Sequence, residues 1–297
     1  MKKDINCTVM GDALIDIMFP ITKPQDINYF FEGGVTSTRA KISVGGTLNI
    51  AANMAQLGGK STFIGKIGND CFGKFLKHDI EKNKIKDCLQ ISEKYNTGIV
   101  FVVVQPNKER FFLVDRGANA YLEMTDINID LCLESKYLFI SGYSFQDEST
   151  SQTVMKVIKE VADSVDIVFN PGAPNIAGTY KTQFCEIIKK YVSIVILNAK
   201  ECESLIGCKD LFEEFLPYVD MVALTMGEKG SIVATKSEFH EIKADATKVV
   251  DTTGAGDAYT AGLIYGLSRK EKLSEAGHLA SKLGGMVVSK VGSRWWS

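Results

Sequence analysis

The stretch Val249-Val250-Asp251-Thr252-Thr253-Gly254-Ala255-Gly256-Asp257 runs directly into an apolar helical pattern over residues 258–267. Glycines 254 and 256 let the backbone come close to a ligand. The N–H groups beside them lie where a helix begins, and the helix dipole favours negative charge there. This is the make-up of an anion hole for a phosphate. A carboxylate at its mouth repels phosphate oxygens, so Asp257 suits a different task, taking the proton of an attacking hydroxyl. Taken alone, the same residues also describe a glycine-rich turn with an ordinary first-turn acid.

Outward from this turn, the chain alternates. Residues 6–10, 61–67, 137–140, 166–169, 192–197 and 221–224 are short runs of strand composition, and 49–57 and 72–80 carry apolar residues at helical spacing. Each run from 137 onward is read as followed by turn residues and then a helical pattern. Strands alternating with helices predict a three-layer α/β/α fold with a mainly parallel central sheet.

Two stretches break the rhythm. Residues of about 13–42 contain Pro20 and Pro24 and show little helical periodicity, and TGIVFVVVQPNKERFFLVD (97–115) places two strands around the polar turn Gln105-Pro106-Asn107-Lys108. Both read as pieces of a small β-sheet lid on a single domain spanning residues 1–297. The other reading is a long surface loop and an edge hairpin of the main sheet.

Composition narrows the function. The 297 residues are 45% apolar, and 34 Lys+Arg against 36 Asp+Glu leave a net charge of −2, so no charge excess draws the protein to nucleic acid or an anionic membrane. Three histidines far apart (His78, His240, His278) argue against a His-rich zinc centre or a Ser-His-Asp triad. Seven cysteines without a C-x-x-C predict reduced thiols and a cytoplasmic protein. No apolar run approaches the roughly 20 residues of a membrane span, and the start Met1-Lys2-Lys3-Asp4 lacks a secretory h-region.

The string DTTGAGDAYTAGL (251–263) resembles the C-terminal signature of the ribokinase-like (PfkB-type) carbohydrate kinases, usually D-T-x-G-A-G-D. The resemblance extends from Gly11 to Gly292, in order. Gly11-Asp12 with Asp16 looks like the family's first strand end. Gly45-Gly46 with Asn49-Ile50-Ala51, on to Gly68-Asn69-Asp70 and Gly73, resembles its N-terminal signature, one residue shorter between Gly46 and Asn49. Asp115-Arg116-Gly117-Ala118-Asn119 resembles the return from the lid, Asn198-Ala199-Lys200-Glu201 the N-x-x-E motif, and Thr225-Met226-Gly227-Glu228-Lys229-Gly230 the T-x-G-x-x-G motif.

The resemblance implies an ATP-dependent kinase acting on a hydroxyl of a sugar or sugar acid. Asp257 would be the base, and Gly254, Ala255 and Gly256 the anion hole. Asp12, Asp16, Gly45, Gly46, Asn49 and Asn119 would meet the substrate. Asn198, Thr225, Gly227 and Gly230 would meet the nucleotide. Asn198 and Glu201 would hold Mg²⁺ through water, and Asp251 and Thr253 match residues that hold a monovalent cation such as K⁺. A nucleoside kinase shares every motif quoted, and a non-catalytic sugar-binding relative is the third reading. The exposed edge of a lid sheet adds the expectation of a homodimer.

Two other motifs fail. Gly58-Gly59-Lys60-Ser61-Thr62 resembles the end of a P-loop, but Met54 replaces its first Gly and the segment runs from helix to strand. Gly254-x-Gly256 is no dinucleotide fingerprint, because Tyr259 holds the third Gly position.

Overall fold

Strand β8 (Ser135–Ser141) is buried from Tyr137 to Ser141, the mark of a strand covered on both faces. Its side chains alternate between two apolar clusters. Phe139 joins Phe63, Leu48 and Ile264 on one face, and Leu138 and Ile140 join Phe169, Phe184 and Val157 on the other. Each fully buried Phe, Leu or Ile of this kind stabilises the fold by roughly 1.5–3 kcal/mol. The computed structural model describes residues 5–22, 36–106, 110–208, 210–245 and 248–296. Residues 23–35 of the first lid stretch, and Asn107 and Lys108 of the hairpin turn, lie outside the described residues.

β8 sits inside a sheet of nine strands among the described residues. Running parallel are β5 (Lys86–Ser92), β4 (Ser61–Gly68), β1 (Ile5–Met10), β8, β9 (Asp166–Asn170), β10 (Ile194–Asn198) and β11 (Met221–Thr225), in that spatial order. β12 (Ser231–Ala234) and β13 (Phe239–Ile242) extend the β11 edge antiparallel. Helices cover both faces, as the alternation predicts. The expectation fails at β11, which leads through a 3-10 turn (Gly227–Lys229) into the β12–β13 hairpin and not into a helix. The short, polar-rich edge strand β5 was also not anticipated.

From β1 the chain builds β4 and β5 on one side, then β8 to β11 on the other. Strand order therefore reverses between β1 and β8, and in such sheets ligands bind outside the carboxyl ends at the reversal. Asp12, Asn198 and Thr225 lie at those ends.

A second sheet, in the order β3-β2-β6-β7, consists of β2 (Ala13–Pro20), β3 (Lys41–Gly46), β6 (Thr97–Val104) and β7 (Arg110–Gly117). These are the two stretches that broke the rhythm. Asp70 ties this sheet to the main one. Its carboxylate accepts from the Gly73 N–H (2.7 Å), capping the helix Cys71–Lys82, and from the Thr97 N–H (2.7 Å) at the start of β6. Burial works against its charge, yet these hydrogen bonds hold the carboxyl below the usual carboxylate range.

Candidate active site

The helix Ala255–Ser268 starts from Gly254, whose φ of +76° lies in the left-handed region. A side chain there would also collide with the tail, since a Cβ would stand 2.5 Å from the Ser293 carbonyl oxygen. The Ala258 N–H bonds back to the Gly254 carbonyl (2.9 Å), which closes the first turn. The N–H groups of Gly256 and Asp257, in that turn, have no partner within the helix.

Two cavities meet at this helix end. One, of about 450 Å³, is lined by Gly227, Gly230, Val249 and Val288. The other, of about 300 Å³, is lined by Asp257, Tyr143, Asn170, Asn198 and Glu201. Gly256, Thr225 and Tyr259 border both. Asp257 and the glycine turn thus sit where a long ligand in one cavity would meet a shorter one in the other.

The carboxylates here are hard to ionise. Burial, then the nearby Asp16 charge, pushes Asp257 up to about 7, while a hydrogen bond from Asn49 and the positive charge of Arg294 pull the other way. Burial pushes Asp16 up to about 6. Gly45 packs bare backbone against the Asp16 carboxylate, and any side chain at that position would strike it. Tyr143, facing Asp257, Glu201 and Asp12, is raised to about 12, chiefly by burial. A base near 7 is matched to proton transfer at neutral pH. The value of kcat/KM should therefore rise with pH up to about 7, with a slope of about tenfold per pH unit below it. Asp16→Asn removes the like charge and should move this acid limb to lower pH, as a pH–rate profile of both proteins would show.

Asn198 and Glu201 form a reciprocal cap on the helix Ala199–Ile206. The Asn198 side-chain oxygen accepts from the Glu201 N–H (3.0 Å), and Glu201 accepts from the Asn198 N–H (2.9 Å) and side chain (2.6 Å) and from Asn170 Nδ2 (3.3 Å). Burial raises the Glu201 carboxyl to about 7, outweighing these bonds. Among the described residues no group of three or more His, Cys, Asp and Glu forms a metal cage. The hard oxygen donors of Asn198 and Glu201 on a cavity wall fit Mg²⁺ bound through its own waters.

Asp251 and Thr253 do not fit a monovalent cation. Asp251 Oδ1 accepts from Arg110 Nη2 (2.5 Å) and from the Thr253 N–H (2.9 Å), Thr253 Oγ1 accepts from Arg110 Nη1 (2.6 Å), and Asp251 Oδ2 accepts from the Gly292 N–H (3.0 Å). A guanidinium from β7 supplies the positive charge at this pair, where the resemblance implies K⁺.

On the substrate side the residues divide. Asp16 acts on Asp257 and packs against the Gly45 backbone, whereas Gly46 faces the Asp12 carbonyl. Asp12 is held by Arg116 in a two-pronged ion pair (Nη2 2.6 Å, Nε 3.2 Å), and Arg116 also pairs with Asp147. The Asn119 amide bonds the Ala13 N–H and C=O (3.0 Å each) and the Arg116 carbonyl, fixing the start of β2. Asn49 is buried beneath Asp257 and bonds Arg294. Sequence reasoning assigned no role to Arg110, Arg116, Tyr143 or Arg294. Arg116 lay inside a quoted motif, whereas nothing local marks the other three.

The family model described as "pfkB family carbohydrate kinase" matches residues 5–295. The 5-dehydro-2-deoxygluconokinase of Bacillus subtilis is 29% identical over 311 residues, covering 97% of this chain and 91% of that protein. A sugar kinase from Pyrococcus horikoshii, solved in complex with ATP, superposes with a TM-score of 0.81 at 26% identity, covering 97% of this chain and 94% of its own. The adenosine kinase of Sinorhizobium meliloti shares the fold, with a TM-score of 0.88 at 24% identity over 99% of this chain and 96% of its own.

Proposed function

The chain belongs to the pfkB family of carbohydrate kinases, phosphotransferases with a hydroxyl acceptor, and from that premise we propose that it moves the γ-phosphoryl group of ATP to a hydroxyl of a sugar or sugar acid. The observation that carries this reading is the place of Asp257, at the end of a glycine turn between two cavities, with its carboxyl raised to about 7.

ATP lies along the larger cavity, against Thr225, Gly227 and Gly230. The first-turn N–H groups at Gly254-Ala255-Gly256 meet the charge on the transferring phosphoryl group, where preorganised donors are most effective. Mg²⁺, held through its waters by Asn198 and Glu201, supplies charge neutralisation on the phosphates when bound. Asp257 takes the proton of the acceptor hydroxyl, which Asp16 positions. The small sheet is the lid of a single kinase domain, and Arg110 on Asp251 straps it to the turn before the anion hole. Seven free cysteines suit a reducing cytoplasm.

The similarity to 5-dehydro-2-deoxygluconokinase supports a sugar acid as acceptor. ATP consumption on a panel of sugars, sugar acids and nucleosides tests the reading. Turnover confined to adenosine, inosine or cytidine would replace it with a nucleoside kinase, the reading that the adenosine kinase fold supports.

The lid also carries the proposed dimer contact. β7 is an edge strand with Phe111, Phe112, Leu113 and Val114 exposed in succession, and strand register aligns Leu113 with Phe101. An unpaired apolar edge of this kind invites a second copy. Sedimentation at micromolar concentration should show twice the chain mass, and Leu113→Glu should reduce it to the monomer.

A further inference from the structure

The turn at Asp251 is built around a fixed positive charge. Arg110, at the start of β7, donates through Nη2 to Asp251 Oδ1 (2.5 Å) and through Nη1 to Thr253 Oγ1 (2.6 Å). The Thr253 hydroxyl directs its own proton to Asp251 Oδ1 (2.8 Å), which the Thr253 N–H also reaches (2.9 Å). The other carboxylate oxygen, Oδ2, takes the Gly292 N–H from the tail (3.0 Å). Only 9% of the Asp251 side chain and 21% of that of Arg110 are exposed, so salt screens the pair weakly. A second cation of the small sheet reaches the same region. Lys41 Nζ, at the start of β3, donates to the carbonyl of Val291, the residue before Gly292 (2.9 Å).

A monovalent cation is held by oxygens whose lone pairs face it and replace its water shell. Here those oxygens face donors instead. Asp251 Oδ1 accepts three hydrogen bonds, and the remaining oxygens of the turn and tail each meet an N–H or an ammonium. An ion at Asp251 would also stand against a guanidinium, which keeps its charge at any working pH. The cavity of about 400 Å³ beside Arg110 is lined further by Phe112, Val249, Val250 and Thr252, and among the described residues it brings no second carboxylate. We propose that Arg110 is the built-in counter-charge of the Asp251 turn, in place of a dissociable monovalent cation, so that neither the turn nor phosphoryl transfer depends on K⁺.

Thr253 immediately precedes Gly254, where the helix of the anion hole begins. The bonds at Asp251 and Thr253 therefore hold the backbone that aims the first-turn N–H groups. A bound ion leaves when its concentration falls, whereas an arginine on β7 stays at a concentration set by the fold. The catalytic consequence rests on the kinase reading; the charge at Asp251 does not.

The experiment compares melting temperature and turnover in KCl and in tetramethylammonium chloride, whose cation is too bulky for an oxygen cage, both at about 0.15 M so that screening is equal. The unaltered protein should melt at the same temperature in both salts and turn over the best panel substrate within about twofold of the same rate. Arg110→Ala opens the oxygens of Asp251 and Thr253. In tetramethylammonium it should melt several degrees lower and turn over about tenfold more slowly. Added K⁺ should restore both with saturation, as binding to the folded state requires. Should this variant fail to fold, Arg110→Gln, which keeps a donor for Thr253, replaces it. A saturable rise in melting temperature or turnover of the unaltered protein with K⁺ overturns the proposal. So does a variant that equals the unaltered protein in tetramethylammonium, or one that K⁺ does not restore. If no panel substrate is turned over, the kinase reading fails, and the melting temperatures still test Arg110.

Discussion

Asp257→Asn is expected to lower kcat by about 10²–10⁴-fold, the usual contribution of a general base, while the protein stays folded. The amide is nearly the same size as the carboxyl and keeps a polar partner for Asn49, so packing is preserved. What it loses is the ability to accept a proton. Residual activity within about tenfold of the unaltered enzyme would remove Asp257 from that role.

The same substitution makes a second, opposite prediction about stability. The folded carboxyl titrates near 7 because burial and Asp16 oppose its charge, whereas an unfolded Asp titrates near about 3.9. Between those values the folded state holds the proton more tightly than the unfolded state. By linkage, stability from this group is greatest at low pH and falls as pH rises toward 7. Asp257→Asn removes that cost, so its melting temperature should exceed that of the unaltered protein at about pH 8 and match it at about pH 4. Calorimetry at the two pH values separates this from a general packing effect.

Gly254→Ala should damage both fold and activity. A non-glycine residue held at positive φ costs about 1 kcal/mol. The new methyl would also press on the Ser293 carbonyl, 2.5 Å away, and backbone cannot swing aside as a flexible side chain can. Ser293 is buried and flanked by Gly292, which bonds Asp251, and by Arg294, which grips Asp79. Together these effects should cost about 2–4 kcal/mol and several degrees of melting temperature. Gly256→Ala provides the contrast. Nothing lies within 4 Å of a Cβ there, so the fold should keep its melting temperature while the methyl enters the junction of the two cavities and slows turnover. A Gly254→Ala protein as stable as the original would show that the tail yields at Ser293.

These contrasts mark where sequence was legible. Strands such as β8 and β10 declare themselves because both faces are buried and four successive residues at their centre or start are apolar or aromatic. β5, Lys-Asp-Cys-Leu-Gln-Ile-Ser, has a wet side and lacks that signal, and β12 and β13 are four residues each, too short for a period to show. The glycine turn and Asp257 could be singled out in the sequence because they lie within one loop and one helical turn. Asn49 was expected at the substrate, but its partner Arg294 comes from the opposite end of the chain. Asp251 and Thr253 look like cation ligands until β7 brings Arg110 to them. Contacts between distant segments fix these roles, and spacing along the chain carries no trace of them.

The small sheet has a consequence for how the protein is made. β2 and β6 are parallel neighbours, with Leu14 opposite Gly98, although β3, β4 and β5 come between them in the chain. Their pairing closes a long loop, and that entropy is lost before any contact is gained. On a ribosome β2 would emerge early and wait, with an unsatisfied edge, for β6. The small sheet is therefore incomplete until Thr97–Val104 has emerged, and an interrupted chain would present β2 as an adhesive strand.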